Sequence, residues 1–88
     1  MLLSVKRVVY LPRARKALLR HRVDAARIME KIAAYAANPK SQANNVKRLK
    51  GDLPILRLRV GDCRVVLAED VAKVRIIDIG PRGSIYER

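Results

Sequence analysis

The 88-residue sequence contains no tryptophan and no phenylalanine, and its only aromatic residues are three tyrosines. Aliphatic side chains and alanine supply nearly all of its 50% apolar content, so the core must be aliphatic. A single cysteine, Cys63, excludes an internal disulfide. One histidine and one cysteine cannot assemble a zinc-type ligand set, so neither metal nor any other cofactor is expected. No stretch approaches the ~18 consecutive apolar residues of a membrane span. The N-terminal MLLSVKRVVY is too short and too early charged for a signal peptide. These features exclude a membrane span and lead us to expect a cytoplasmic protein with no membrane partner, although an anionic membrane surface is the competing reading of its charge. Acidic residues are scarce too, with 8 Asp and Glu against 20 Lys and Arg, a net charge of +12. Such an excess on so small a chain points to a polyanionic partner, most often nucleic acid. The length leaves room for one domain, residues 1–88, that buries roughly 60 to 65% of its extended surface.

The charge is uneven along the chain. Residues 1–50 carry thirteen basic and two acidic groups, whereas residues 51–88 carry seven and six. General affinity for polyanions therefore belongs to the first half, and specific chemistry depends on where the few arginines of the second half are aimed.

Those arginines sit in Leu53 to Ala68, LPILRLRVGDCRVVLA, which reads as two strands joined by the two-residue loop Gly61-Asp62. Glycine at the first central position suits a type II′ turn, and the loop then sets Val60 opposite Cys63. Counting by twos puts Leu56, Leu58, Val60, Cys63, Val65 and Leu67 on one dry face. Ile55, Arg57, Arg59, Arg64, Val66 and Ala68 point the other way. Cys63 is thereby a small core residue rather than a nucleophile. Arg59 lies directly opposite Arg64, and like charges across a strand pair are destabilising. Two readings of this opposition stand: the guanidiniums splay outward and only solubilise the sheet, or they hold an anion, for which phosphate is the best geometric match.

Ahead of the hairpin, Val5 to Tyr10 is β-branched and aromatic enough for a first strand. Pro12 opens a short helix to about Arg20, with Ala14, Ala17 and Leu18 on one face. His21 and Arg22 form a connector and Asp24 is a candidate cap. The second helix then runs to Asn38-Pro39, with Ile28, Ile32, Tyr35 and Ala36 recurring on one face. So short a link predicts an antiparallel helical hairpin. Lys40 to Asp52 reads as a polar loop anchored by Leu49, whose Lys47, Arg48 and Lys50 are either solvated or a backbone-contacting arm for nucleic acid. Pro54 marks the start of the hairpin. After Glu69 to Ala72 a third strand places Val74 and Ile76 on the dry face, Arg75, Ile77 and Ile79 on the arginine face, and Asp78 on the dry side near the end. Gly80 to Arg88, GPRGSIYER, carries turn signals. Folded back, it brings Arg82 and Tyr86 beside Arg57, Arg59 and Arg64, where neighbouring positive charge favours the phenolate. The alternative is that Tyr86 tucks its ring against the sheet edge. The fold expected is α+β, β-α-α-β-β-β, with about four strands.

The order of LKG, RLRVGDCRVV and IGPRGSIYER resembles the RelE/ParE family of type II toxins, in its RelE-like branch, over nearly the whole chain. The resemblance implies a small antiparallel sheet with two N-terminal helices packed on one face and a basic concave face on the other. It implies a ribosome-dependent endoribonuclease that cuts messenger RNA without metal and so inhibits translation, and a cognate antitoxin that holds it inactive. By position, Arg57 matches a basic residue, frequently lysine, near the attacking hydroxyl. Arg64 matches the arginine on the scissile phosphate, Arg82 the one near the leaving group, and Tyr86 the aromatic that stacks or exchanges a proton; Arg59 matches a further basic position. Three departures matter. Arg57 cannot readily act as a base, because guanidinium keeps its proton; Cys63 replaces an aromatic; and Pro81 stands where several relatives have histidine. Two other functions are open on this reading: a ParE-like toxin that poisons DNA gyrase without cleaving nucleic acid, and a non-catalytic basic RNA-binding protein.

Overall fold

The computed structural model describes residues 6–48 and 55–81. Val5 of the first expected strand, the expected anchor Leu49, and Lys50, Leu53, Pro54, Arg82 and Tyr86 lie outside the described residues. The elements follow as β1 (Arg7–Tyr10), α1 (Pro12–Arg20), α2 (Arg22–Ala37), a 3-10 segment (Pro39–Asn45), β2 (Val46–Arg48), β3 (Ile55–Val60), β4 (Cys63–Glu69) and β5 (Lys73–Pro81). The strands form one sheet in the order β1-β5-β4-β3-β2. Every pairing is antiparallel except that of β1 with β5. This is the expected α+β arrangement, with one strand more than the sequence suggests.

The β3-β4 hairpin has the register set by its loop, with Val60 opposite Cys63 and Arg59 opposite Arg64. Gly61 carries the positive φ of 59° that the tight turn needs and that other residues resist. One face of the hairpin supplies Leu58, Val60, Cys63, Val65 and Leu67 to the core. Against it pack Ala14 and Ala17 from α1 and Ile28, Ile32, Tyr35 and Ala36 from α2. Ile28, Ile32, Leu58, Leu67 and Ile76 are fully buried. Each such side chain contributes roughly 1.5 to 3 kcal/mol by leaving water, so Ile32→Ala strikes at the contact between helices and sheet. Both helices thus cover the dry face and leave the arginine face to other uses.

α1 starts at Pro12 and is tied to the sheet by the Leu11 N–H, which donates to the Ile76 carbonyl at 3.0 Å. Arg20 in its last turn complements the negative end of the helix dipole. α2 begins at Arg22, two residues before the expected cap. Asp24 lies inside its first turn and pairs with Arg27 at 3.4 Å, while His21 occupies the cap position with no side-chain hydrogen bond. The helix starts early because the His21 carbonyl already accepts the Asp24 N–H, at 3.1 Å.

Two further departures come from pairing between distant segments. Val46–Arg48, expected in the loop, forms an edge strand against β3, with Lys47 opposite Arg57 and Arg48 opposite Leu56. In β5 the parity changes at a bulge: Leu67 pairs with Ile76, but Val66 pairs with Asp78, so Ile77 has no partner in the ladder. The extra residue moves Ile79 opposite Val65 and into the core, and moves Asp78 opposite Val66. The expected placement of Ile79 on the arginine face is thereby corrected. Asp78 pairs with Arg13 of α1 at 3.3 Å, beside the helix that covers the dry face, and accepts the Ile79 N–H at 2.9 Å.

At the end of the sheet away from the hairpin turn, Glu69 accepts hydrogen bonds from Tyr35 Oη and from Lys6 Nζ, the latter at 2.6 Å. Burial pushes the Glu69 carboxyl up, but the Lys6 and Tyr35 hydrogen bonds and the Lys6 charge outweigh it and leave its pKa below the ordinary value. Burial and the Glu69 carboxylate push the Tyr35 phenol well up. The β4-β5 connection is closed by Asp70, whose Oδ1 accepts the N–H groups of Ala72 and Lys73 at 2.8 and 2.9 Å.

Candidate functional site

The alternation that sends Leu56, Leu58 and Val60 into the core sends Arg57 and Arg59 to the opposite face. Across the turn Arg64 joins them, paired through β5 with Gly80, which presents no side chain. β2 adds Lys47 to the same face by its register with Arg57. Four cations from three strands therefore meet, and Asn44, Asn45, Lys47, Arg57, Arg59 and Arg64 line one cavity of about 100 Å³. A second hollow of about 430 Å³ adjoins it at the hairpin turn. The two share Asn45, Arg59 and Arg64, so they are parts of one trough.

The facing guanidiniums lean apart. Arg59 Nη2 donates to Asn45 Oδ1 at 3.3 Å, towards the 3-10 segment. Arg64 Nη1 makes a long contact, 3.4 Å, with the carbonyl of Cys63. Asn45 is itself held, since its Nδ2 donates to Gln42 Oε1 at 3.3 Å, and Gln42 is buried at a kink of the segment. A buried glutamine thus fixes an asparagine that aims an arginine. Among the described residues neither Arg59 nor Arg64 is paired with a carboxylate. Two guanidiniums facing each other without an acid favour a bound anion, and their planar forks match phosphate oxygens.

Cys63 adds nothing nucleophilic to this face. It is buried, and burial, with a contribution from Asp24, pushes its thiol pKa up.

No protein-family model matches the sequence, and no curated protein sequence matches it significantly. Solved structures do match. A chain of the archaeal RelE-RelB complex from Pyrococcus horikoshii OT3 is 27% identical with a TM-score of 0.75, over 91% of this chain and 98% of that one. A chain of the toxin-antitoxin complex RelBE2 from Mycobacterium tuberculosis is 22% identical with a TM-score of 0.67, over 88% and 98%. The YoeB dimer from Staphylococcus aureus matches at 17% identity and a TM-score of 0.60, over 86% and 95%. The chain has the RelE-like toxin fold.

On this RelE-like fold the residues singled out from the sequence separate into three groups. Arg57, Arg59, Arg64 and Lys47 come together in the trough. Arg48 does not. Its register opposite Leu56 puts it on the opposite face from Lys47, in a hollow with Lys6, Leu56, Glu69, Asp70 and Val71. Lys50, Arg82 and Tyr86 lie outside the described residues. Sequence reasoning missed Asn44, Asn45 and Lys31 as lining residues. The asparagine pair sits in a polar stretch that gives no periodic signal, and Lys31 lies on a helix far away in the chain.

Proposed function

We propose that residues 1–88 form the toxin of a type II toxin-antitoxin system, acting in the cytoplasm as a ribosome-dependent endoribonuclease on messenger RNA. The observation that carries this reading is the gathering of Arg57, Arg59, Arg64 and Lys47 in one trough, on the sheet face that the helices leave bare. The RelE-RelB and RelBE2 neighbours support the toxin assignment and a cognate antitoxin as partner. A surface with so large an excess of positive charge suits an acidic segment of such an antitoxin.

The reaction is attack of a ribose 2′-hydroxyl on its own 3′-phosphate, and it is formulated without a metal. The 2′-hydroxyl gives up its proton as its oxygen bonds to phosphorus, the bond to the 5′-oxygen of the next nucleotide breaks, and that oxygen takes up a proton, so a 2′,3′-cyclic phosphate and a 5′-hydroxyl form with no net change in protons. Negative charge grows on the phosphate oxygens along the way, and fixed guanidiniums stabilise that growth more than the ground state. Arg64 contacts the scissile phosphate in this scheme, with Arg59 beside it. Arg57 faces the attacking hydroxyl as a fixed charge, since guanidinium cannot take the proton. Arg82 neutralises the leaving oxygen, and Tyr86 stacks on the nucleotide or transfers a proton. Lys47 contacts the backbone, as do Arg48 and Lys50 on a longer RNA path. With no carboxylate or histidine among these residues, the ribosome supplies the orientation of the message, which can account for several kcal/mol of a barrier.

The test is to incubate the purified protein with programmed ribosomes and map the ends of the message. Codon-phased cuts that vanish in a folded Arg64→Ala variant support the proposal. Halted DNA replication with an intact message would instead indicate a gyrase-directed toxin, and salt-sensitive RNA binding without toxicity a plain RNA-binding protein.

A further inference from the structure

The trough does not end at the hairpin's opposed arginines. Beyond them the larger hollow is lined by Lys31, Asn45, Arg59, Gly61, Asp62 and Arg64. Lys31 comes from the middle of α2, whose apolar side is buried through Ile28, Ile32 and Tyr35 on the helix side of the sheet. From there Lys31 lines the same hollow as Arg59 and Arg64 of the hairpin, near the turn. No carboxylate pairs with it among the described residues, and Asp62 is the single acid lining the hollow. Another basic hollow, containing Arg13, Lys16, Arg20 and His21, is built differently: Asp78 already pairs with Arg13 there, at 3.3 Å. In the hollow at the turn, by contrast, Lys31, Arg59 and Arg64 are all without a carboxylate partner among the described residues.

We propose that the hollow at the hairpin turn is a second phosphodiester subsite, with Lys31 as its distinguishing ligand and Arg59 and Arg64 shared with the first. This rests on the reading of the trough as an RNA site and adds the direction of the strand across it. One phosphate sits among Lys47, Arg57, Arg59 and Arg64. The neighbouring phosphate sits between Arg59, Arg64 and Lys31, so the backbone crosses the end of the hairpin towards α2. Asn45, which lines both hollows, serves as a positioning residue by holding Arg59 at 3.3 Å on the boundary between them. The sharing also explains why the opposed arginines are retained. Two adjacent phosphates give each guanidinium an anion to face.

The test uses ligands that cannot be cut. A 2′-O-methyl dinucleotide carries one phosphodiester and a 2′-O-methyl trinucleotide two, and neither has the 2′-hydroxyl nucleophile. Binding of each to the wild-type protein is followed by NMR titration at low salt, and the ratio of the two affinities is the readout. The wild type is expected to prefer the trinucleotide by about threefold to fivefold, the scale of one exposed ionic contact. Lys31→Ala should bring the ratio close to one, Lys31→Arg should restore it, and Lys40→Ala, a loss of charge outside the trough, should retain the wild-type ratio. An unchanged ratio in Lys31→Ala, an equal loss in Lys40→Ala, or no wild-type preference would overturn the subsite. The ratio is read whether or not the protein is a nuclease, so loss of the subsite is distinguishable from failure to cut message on the ribosome.

Discussion

Replacing Arg64 with glutamine should make the protein more stable while it abolishes activity. In the hairpin Arg64 faces Arg59 directly, and a like-charged pair at that spacing costs about 0.2 to 1 kcal/mol. What Arg64 gives back among the described residues is small. Its hydrogen bond to the Cys63 carbonyl, at 3.4 Å, is at the long end for such a bond. Glutamine keeps much of the side-chain stem and removes the charge, so a net gain of about 0.5 kcal/mol is expected. In a chain of this size that raises the melting temperature by about 2 to 4 °C. Thermal unfolding by circular dichroism at about 20 mM and about 1 M salt measures it. At the higher concentration the screening length falls to about 3 Å, and most of the gain should disappear. The matched Arg59→Gln variant should gain less, because it also loses the bond to Asn45. A fall in melting temperature for Arg64→Gln, or a rise that salt does not reduce, would refute the view that this arginine is held against the interests of the fold. Residues kept at a cost to stability are the ones function requires.

Other outcomes follow from the opposite end of the sheet and from the turn. Glu69 has its pKa lowered in the folded state by Lys6 and Tyr35, against the upward push of burial, so it contributes stability above its unfolded pKa of about 4.3 that is lost as pH falls through the folded value. Urea unfolding between about pH 6 and pH 3 should show that decline in the wild type and a flatter profile in Glu69→Gln; parallel profiles would remove Glu69 from the account. Gly61→Ala puts a Cβ 2.6 Å from Arg27 Nη2, which is the mobile end of an exposed side chain and can move aside. The remaining cost is the positive φ of 59°, about 1 kcal/mol and about 4 to 8 °C in melting temperature. Gly61→Asn, which tolerates that φ better, should lose less.

The hairpin was readable because its rules are local. A two-residue loop beginning with glycine fixes which residues face each other, and alternation then assigns every side chain to a face. Those two rules suffice to place Leu58, Val60, Cys63, Val65 and Leu67 in the core and to set Arg57, Arg59 and Arg64 together. The helix faces were readable for a similar reason. Ile28, Ile32, Tyr35 and Ala36 recur at helical spacing, and Pro12 and Asn38-Pro39 punctuate the ends. The helix start at Arg22 in place of a cap at Asp24 was not, since the backbone of His21 takes the cap position without any side-chain signal.

What lay beyond the sequence is what depends on partners distant in the chain. Val46–Arg48 looks like loop by composition and becomes a strand only because the edge of β3 is open to it, which sets Lys47 in the trough and Arg48 outside it. The bulge at Ile77 is likewise invisible locally; it exists because Ile79 gains the core by it and Asp78 gains Arg13. Lys31 and Asn45 reach the arginines from a helix and a 3-10 segment whose approach the tertiary packing alone sets. Parity along a strand is fixed by covalent geometry and is therefore written in the sequence. Which edges pair, where a ladder slips by one residue and which helix overhangs the turn are settled by competition among long-range contacts, and these exist only once the chain has folded.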